Sequence, residues 1–188
     1  MIRYALFPIL AAGLAASPAQ AQDEPSPTSF SGPRVEALAG YDEGLVYGVG
    51  LGYDLRAGGV VIGFDGEATL STSKECASSI FEPGDRLCAR QGRDLFGGLR
   101  IGVPIGGKAL IYAKGGYSNI RLRTDYEDGT AAGLNDFDLG ANLDGGRVAG
   151  GLELSLGRRA FIKGEYRYSN YEAGVSKHDG LAGIGIRF

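Results

Sequence analysis

From residue 34 to the end of the chain, apolar residues recur at every second position within short segments. This period is that of a β-strand, whose successive side chains point to opposite faces, whereas an amphipathic helix repeats every three to four residues. The clearest case is GLVYGVGLGYDL at residues 44–55, where one face is large and apolar and the other is small or polar. Its apolar face carries Leu45, Tyr47, Val49, Leu51, Tyr53 and Leu55. The sequence therefore predicts strands that are apolar on one side only.

Eight segments alternate in this way, and the lengths of their connections indicate the topology. The segments are PRVEALAGY, GLVYGVGLGYDL, VVIGFDGEATL, DLFGGLRIGV, ALIYAKGGYSN, RVAGGLELSL, AFIKGEYRYSN and GLAGIGIRF. The short turns are residues 56–58, 105–107 and 157–159, and the long polar loops are residues 71–93, about 120–146 and 172–179. The first connection on the long-loop side, residues 42–44, is unexpectedly tight and resembles an ordinary hairpin turn. Short turns at one end, longer loops at the other and an even strand number are typical of outer-membrane barrels. We therefore expect an all-β fold, an eight-stranded antiparallel up-and-down transmembrane β-barrel.

The polar face of these strands carries six acidic and six basic residues, and many glycines lie between them. A soluble β-sandwich or lipocalin-like barrel would also alternate, but glycines on a water-facing surface would serve no purpose. The interior of an eight-stranded barrel is only wide enough for side chains to fill, and glycine beside a long charged residue makes room there. Unpaired charges in such a narrow lumen are costly. We predict a lumen plugged by an ion-pair network of Glu36, Asp65, Glu67, Asp94, Arg100, Lys114, Arg147, Glu153, Lys163, Glu165, Arg167 and Arg187.

Aromatic residues fall near both ends of the predicted strands. With a periplasmic N-terminus, those near the loop end are Tyr41, Tyr47, Tyr117, Tyr168 and Tyr171, and those near the turn end are Tyr53 and Phe188. Two aromatic girdles at headgroup depth are expected of a membrane barrel.

The first residues have the composition of an export signal. Arg3 precedes an apolar stretch, ALFPILAAGLAA, and Ala19-Gln20-Ala21 supplies small residues at a cleavage site. The stretch is shorter than the roughly 20 residues that a membrane helix requires. We expect residues 1–21 to be a cleaved signal peptide, residues 22–33 a flexible periplasmic segment and residues 34–188 the barrel.

An exported chain meets an oxidising compartment, so Cys76 and Cys88 are predicted to form a disulfide.

The segments YGVGLGYDL, AKGGYSN, EYRYSNY and GIGIRF resemble the small eight-stranded outer-membrane barrels of the opacity-protein and Omp25-like porin-family group. The resemblance covers roughly residues 33–188. It implies a monomeric, heat-modifiable barrel that contributes to envelope integrity, with surface loops that bind host molecules in some members. The chain departs from the opacity members in its tight first loop and compact loops. Its end resembles the C-terminal signal read by the barrel-assembly machinery, carried here by Ile184, Ile186 and Phe188.

Two groups of residues are candidates for chemistry. His178 lies beside Asp179 and close to Ser176, but adjacency in sequence does not make a nucleophile and a base converge. The loop TDYEDGTAAGLNDFDLGANLD, residues 124–144, is acidic, and a divalent cation there is left open. We expect no enzymatic activity, no cofactor and no dedicated metal site. The formal net charge of −3 and the scattered Lys and Arg residues argue against nucleic acid as a partner.

Three functions stay open at this point. The first is a structural, envelope-stabilising barrel, and the second is a narrow passive porin for small solutes. The third is a surface adhesin or recognition protein that acts through the Cys76–Cys88 loop and the acidic loop. The expected partners are outer-membrane lipid and lipopolysaccharide and the barrel-assembly machinery, with the host or surface ligand unknown. The expected location is the Gram-negative outer membrane, with extracellular loops.

Overall fold

The computed structural model describes residues 30–79, 84–127 and 137–188. The predicted signal peptide and most of the predicted periplasmic segment lie outside these residues. The strands of the described chain are β1 (Gly32–Tyr41), β2 (Leu45–Ala57), β3 (Val60–Ser71), β4 (Lys74–Ser78), β5 (Arg86–Ile105), β6 (Ala109–Glu127), β7 (Phe137–Ser155), β8 (Ala160–Tyr171) and β9 (Ser176–Arg187). A 3-10 turn, Glu172–Gly174, joins β8 to β9. Within the described residues, no helix has the length and apolar character needed to cross a bilayer.

Eight of the described strands close into a ring in which every neighbouring pair is antiparallel. β3 pairs with β5, and the first and last strands meet, with Arg34 opposite Arg187 and Tyr41 opposite Gly180. The alternation divides each strand between the two sides of the wall. On β2, Leu51 is 61% exposed on the outside, whereas Asp54 is fully buried inside. The predicted eight-stranded antiparallel barrel is therefore confirmed.

The long connections differ from the prediction, because much of their length is strand. β5, β6 and β7 contain 20, 19 and 19 residues and continue beyond the barrel wall. The additional strand β4 pairs with the extended part of β5, so β4 to β7 form a projecting sheet. In RLCARQGR, residues 86–93, polar residues occur on both faces, with Arg90 on one and Gln91 on the other. An alternation of apolar and polar residues cannot reveal such strands.

The predicted disulfide is present in this projecting sheet. Cys76 of β4 lies directly opposite Cys88 of β5, and the two sulfur atoms are bonded. The bond joins the two strands of a hairpin outside the barrel wall. It therefore fixes the projecting sheet rather than the barrel.

The N-terminal end of the described chain packs into the barrel. β1 begins at Gly32, one residue before the predicted strand, and Phe30 is completely buried against Val61 and Leu110 at the end with the short turns. Gly32 has a φ of 108°, and a Cβ there would lie 2.2 Å from the backbone oxygen of Phe188. Glycine is the residue that tolerates both the left-handed backbone and this close approach. The chain can therefore turn inward and place Phe30 across the mouth.

Candidate functional site: the charged interior of the barrel

The interior of the barrel is lined mainly by charged side chains that alternate with the lipid-facing residues. Glu153 is fully buried, and Arg100 and Arg167 are each 1% exposed. Each lies at an inward position because the two neighbours along its strand point outward. Burial of an ion is tolerated only where opposite charges and hydrogen bonds compensate for the lost water. The partners of these charges therefore determine the character of the site.

Near the turn end, the carboxylates of two residues, Asp54 and Glu153, form ion pairs with three arginines. Asp54 lies 3.0 Å from Arg34 Nε and 2.8 Å from Arg187 Nη2. Glu153 accepts hydrogen bonds from Arg100 at 2.6 Å and from Arg187 at 2.8 Å. Arg187 also lies over Phe30, with 5.6 Å between the guanidinium carbon and the ring centre. This layer is thus joined to the apolar residues that cover the mouth.

In the middle of the barrel, two glutamates bind lysine and arginine from several strands. Glu67 pairs with Lys114 and lies 2.7 Å from Arg167 Nη2. Glu165 lies 2.9 Å from Lys114 Nζ and accepts a hydrogen bond from the Tyr112 hydroxyl at 2.7 Å. Lys163 donates to Glu36 at 2.7 Å. These contacts fill the lumen at mid-depth with groups of both signs.

The two layers are continuous, because Arg34 also contacts Glu36, at 3.4 Å. Among the described residues this network contains six acids and six bases, so its formal charge is zero. The acids are Glu36, Asp54, Asp65, Glu67, Glu153 and Glu165, and the bases are Arg34, Arg100, Lys114, Lys163, Arg167 and Arg187. The balance means that no net charge is left in the middle of the lumen.

A second, smaller cluster lies toward the loop end. Arg147 contacts Asp94 at 2.5 Å and donates to the hydroxyls of Ser169 and Tyr171. Lys177 lies 3.1 Å from Asp179 and 3.9 Å from Asp94. The placement of Tyr171 in an aromatic girdle was wrong, since this residue is 2% exposed and points inward. Tyr171 is close to the loop end, which favoured a place in the girdle. Along β8, however, it falls on the same alternate positions as the inward-facing residues.

Small residues on the inner wall make the close packing possible. A Cβ at Gly52 would lie 2.5 Å from Arg34 Nη2, and one at Gly50 would lie 2.5 Å from Glu36 Oε1. The charged side chains therefore occupy the space that larger residues at these positions would fill. Aromatic rings fill other gaps, and the Tyr112 ring lies 3.9 Å from the guanidinium carbon of Arg100.

The structure places all twelve residues of the predicted network inside the barrel. Asp94 and Arg147 belong to the cluster at the loop end, and the other ten belong to the central network. Sequence reasoning missed Arg34 and Asp54, although both stand at inward positions of alternating strands. It also missed Lys177 and Asp179, because residues 172–179 were expected to form a loop. Arg34 and Asp54 already stand within the predicted alternating segments, and extending the last segment back to residue 176 would have found Lys177 and Asp179.

Three carboxylates of the central network, those of Glu36, Asp65 and Glu67, approach within 4.8 Å of one another. Such a group has the donor atoms of a cation site. Here, however, Arg34 lies 2.7 Å from Asp65, Lys163 neutralises Glu36 and Arg167 neutralises Glu67. Basic side chains of the protein therefore neutralise these three carboxylates in place of a cation.

The candidate residues for catalysis do not converge. Asp179 is buried in the lumen, whereas His178 and Ser176 face outward from the same strand. The Nδ1 atom of His178 lies 2.7 Å from the Tyr166 hydroxyl, and the His178 ring lies tilted against the Tyr168 ring, with 4.8 Å between their centres. These contacts place the histidine in the outer aromatic girdle and away from the buried carboxylate.

The acidic segment also separates into parts. Asp128 and Asp136 lie outside the described residues, and Asp125 forms an ion pair with Arg90. Asp144 accepts hydrogen bonds from the Tyr117 hydroxyl and from the Asn119 amide, which hold the pKa of its carboxyl below the usual range. Asp125 and Asp144 thus have partners within the protein.

The predicted assembly residues lie on the strand that closes the ring. Ile184, Ile186 and Phe188 are 60%, 47% and 66% exposed, and all three face outward at the turn end. β9 pairs with β1 on one side and with β8 on the other. The three side chains therefore form an apolar row along the closing strand.

Comparison with known proteins gives the same fold. The family model described as outer membrane protein beta-barrel domain matches residues 7–188. A major outer membrane protein from Thermus thermophilus has a TM-score of 0.57 and 13% identity, covering 85% of this chain and 100% of that chain. Ail, the attachment invasion locus protein of Yersinia pestis, has a TM-score of 0.54 and 12% identity, with coverage of 85% and 100%.

Ail was also solved in complex with the heparin analogue sucrose octasulfate. That structure has a TM-score of 0.52 and 12% identity, covering 84% of this chain and 97% of that chain. Identities this low show a shared fold alone. No curated protein matches the sequence significantly.

Proposed function

Because this chain belongs to the outer membrane protein beta-barrel domain family, we propose that it is a structural, envelope-stabilising barrel whose lumen is closed by its own side chains. Membership of the family places the chain in the Gram-negative outer membrane. The finer role rests on one observation, the ion pair between Arg167 and Glu67 at 2.7 Å. β8 and β3, which carry them, stand four strands apart in the ring of eight, on opposite sides of the lumen.

Charge balance supports a closed lumen. A conducting pore needs a continuous column of water, and a narrow pore is kept hydrated by charges without protein partners. The central network pairs six acids with six bases, so its charges attract one another across the lumen. Phe30, Val61 and Leu110 cover the turn end with apolar surface. Solute passage would require both features to rearrange together.

The proposed orientation has the short turns in the periplasm and the projecting sheet of β4 to β7 outside the cell. Bacterial barrels have short periplasmic turns and longer extracellular connections. The chain is proposed to be a monomer without catalytic activity, in contact with lipid and lipopolysaccharide. Ile184, Ile186 and Phe188 are proposed to present the signal for the barrel-assembly machinery, because they form an exposed apolar row on the closing strand.

Single-channel recording of the mature chain, residues 22–188, tests the closed lumen. The protein is refolded, its insertion is verified by heat-modifiable migration on gels, and currents are recorded in a planar bilayer. We expect no stable current steps from inserted protein. Reproducible open steps would overturn the proposal and favour the narrow passive porin.

Surface recognition is a second candidate, supported by the projecting sheet. A disulfide between paired strands and three strands of about 20 residues make this sheet more ordered than a simple loop. Replacing residues 73–91 by a short turn and measuring attachment of whole bacteria to host cells tests this role. Reduced attachment with an unchanged barrel on gels would favour recognition, and unchanged attachment would remove it.

A further inference from the structure

The outer face of the projecting sheet carries a group of arginines that the proposed function does not use. Arg90 and Arg93 of β5 and Arg121 and Arg123 of β6 line one groove, together with Leu70 of β3. The groove has a volume of about 360 Å³, and the four arginines are exposed. Along the sequence these residues stand among scattered charges. The fold brings them together, and we call this group the arginine groove.

A β-bulge in β5 brings Arg90 and Arg93 to the same face of the sheet. The register of β5 against β6 shifts between Gln91 and Asp94, so that β5 has one extra residue there. On the barrel side of the shift, Asp94 points into the lumen and Arg93 points outward. On the side of the projecting sheet, Arg90 lies opposite Arg123. Residues three apart on a regular strand face opposite sides. The bulge therefore turns both Arg90 and Arg93 to the outside, next to the arginines of β6.

The charges of the groove are poorly neutralised. Arg90 stands directly opposite Arg123 and also opposite Lys74 of β4, and like charges in such positions destabilise a sheet. Within the described residues, the one ion pair at the groove joins Arg90 Nε to Asp125 at 3.0 Å. Arg93, Arg121 and Arg123 have no ion pair with a described carboxylate. An anionic ligand would relieve this repulsion.

The groove also stands at a defined height on the barrel. Leu70 lies directly opposite Arg93, and Leu95 follows Arg93 by two residues; both leucines are exposed on the lipid-facing side. Tyr117 faces outward four residues before Arg121, which is about 13 Å along the strand. Exposed tyrosines mark headgroup depth in membrane barrels. The arginines thus lie immediately beyond the apolar band, above leucines that continue it.

We propose that the arginine groove binds the phosphate groups of an anionic lipid of the outer leaflet, with the upper part of its chains against Leu70. Guanidinium groups match phosphate oxygens with paired hydrogen bonds. An amphiphile fits better than a soluble polyanion because an apolar side chain lines the same groove as the charges. The inference rests on the proposed orientation of the projecting sheet and is independent of whether the lumen conducts.

Native mass spectrometry of the mature chain in zwitterionic detergent, titrated with diphosphorylated lipid A, tests the site. The groove variant is Arg93→Gln/Arg121→Gln/Arg123→Gln. A matched control, Arg56→Gln/Arg158→Gln/Arg159→Gln, removes three exposed arginines from the turn end. We expect the groove variant to bind at least about tenfold more weakly and the control to change less than about twofold, since each basic group near anionic lipid contributes separately. Heat-modifiable migration verifies the fold, and Arg93→Gln alone repeats the test with a smaller change.

Two further probes separate a lipid from a free anion. Leu70→Gln should weaken binding of lipid A and leave binding of inorganic pyrophosphate unchanged. Lipid A without its phosphates should bind the wild type as weakly as intact lipid A binds the groove variant. Equal loss in both arginine variants, tight binding of the dephosphorylated lipid, or no effect of Leu70→Gln would overturn the proposal. Because channel recordings do not depend on the groove, failure here leaves the closed-lumen proposal to its own test.

Discussion

Arg167 Nη2 lies 2.7 Å from Glu67 Oε2 and connects β8 to β3 across the lumen of the barrel. Both side chains are about 1% exposed, so water cannot replace either partner. Such a pair is stabilising relative to its broken state, although two apolar residues of similar volume would serve as well. Its value to the protein is to tie opposite walls together, which bonds between neighbouring strands do not achieve.

Removal of one partner of this pair should destabilise the barrel strongly. Arg167→Met leaves Glu67 with Lys114 and Lys163 as cationic partners and unbalances the central network, so we expect a loss of about 3 kcal/mol in the free energy of unfolding. Adding Glu67→Gln to it should recover part of that loss. Urea unfolding in detergent, followed by gel migration, measures each value.

The exposed pair Arg90–Asp125 provides the comparison for this experiment. Arg90 is half-exposed, so Arg90→Gln should cost less than about 1 kcal/mol. If Arg167→Met lowered the free energy of unfolding no more than Arg90→Gln does, the ion pair across the lumen would not hold the walls together.

How far the sequence predicts this fold depends on where each strand meets lipid. Inside the membrane one face must be apolar, so the alternation located all eight barrel strands. Beyond it, RLRTDYE still places Leu122 and Tyr126 on one face. RLCARQGR, in contrast, has polar residues on both faces and gives no such signal, although Arg86–Ile105 is one continuous strand. The same limit hid β4, which contains no buried residue.

Most members of the central network could be predicted, but their pairing could not. Parity along each strand shows that Glu67 and Arg167 both point inward. Which cation meets Glu67 depends on the stagger of eight strands around the ring and on side-chain conformations. The bulge near Arg93 is a further example, because one extra residue in β5 decides which face Arg90 occupies. Neither feature follows from local sequence patterns.

Phe30 should contribute to stability although it precedes the first strand. It is fully buried with Val61 and Leu110 and lies under Arg187. Phe30→Ala should cost about 3 kcal/mol, near the lower end of the range for buried Phe-to-Ala changes, because the end of the barrel can partly collapse around it. Ser31→Ala is the control and should have little effect. If the urea midpoint of Phe30→Ala equalled that of the wild type, the residues before β1 would not pack against the turn end of the barrel.

Loss of the disulfide should loosen the projecting sheet and leave the barrel intact. Cys76 and Cys88 join β4 to β5 outside the wall. In the double variant Cys76→Ser/Cys88→Ser we expect faster tryptic cleavage after Lys74 and Arg86, and unchanged heat-modifiable migration. Wild-type protein treated with a reductant should behave in the same way. If the variant lost its heat-modifiable migration, the disulfide would be required for barrel folding.

Inward glycines should be far more sensitive to substitution than outward ones. A Cβ at Gly52 would lie 2.5 Å from Arg34 Nη2 and 2.8 Å from the backbone oxygen of Phe64, so Gly52→Ala forces both the charge network and the strand to move. Overpacking of this kind costs about 1–3 kcal/mol. Gly164 of β8 faces outward, and a Cβ added there would meet no atom within 4 Å, so Gly164→Ala should be nearly neutral. Urea midpoints of the two variants measure the difference, and equal midpoints would mean that the lumen has spare room, which a closed barrel does not.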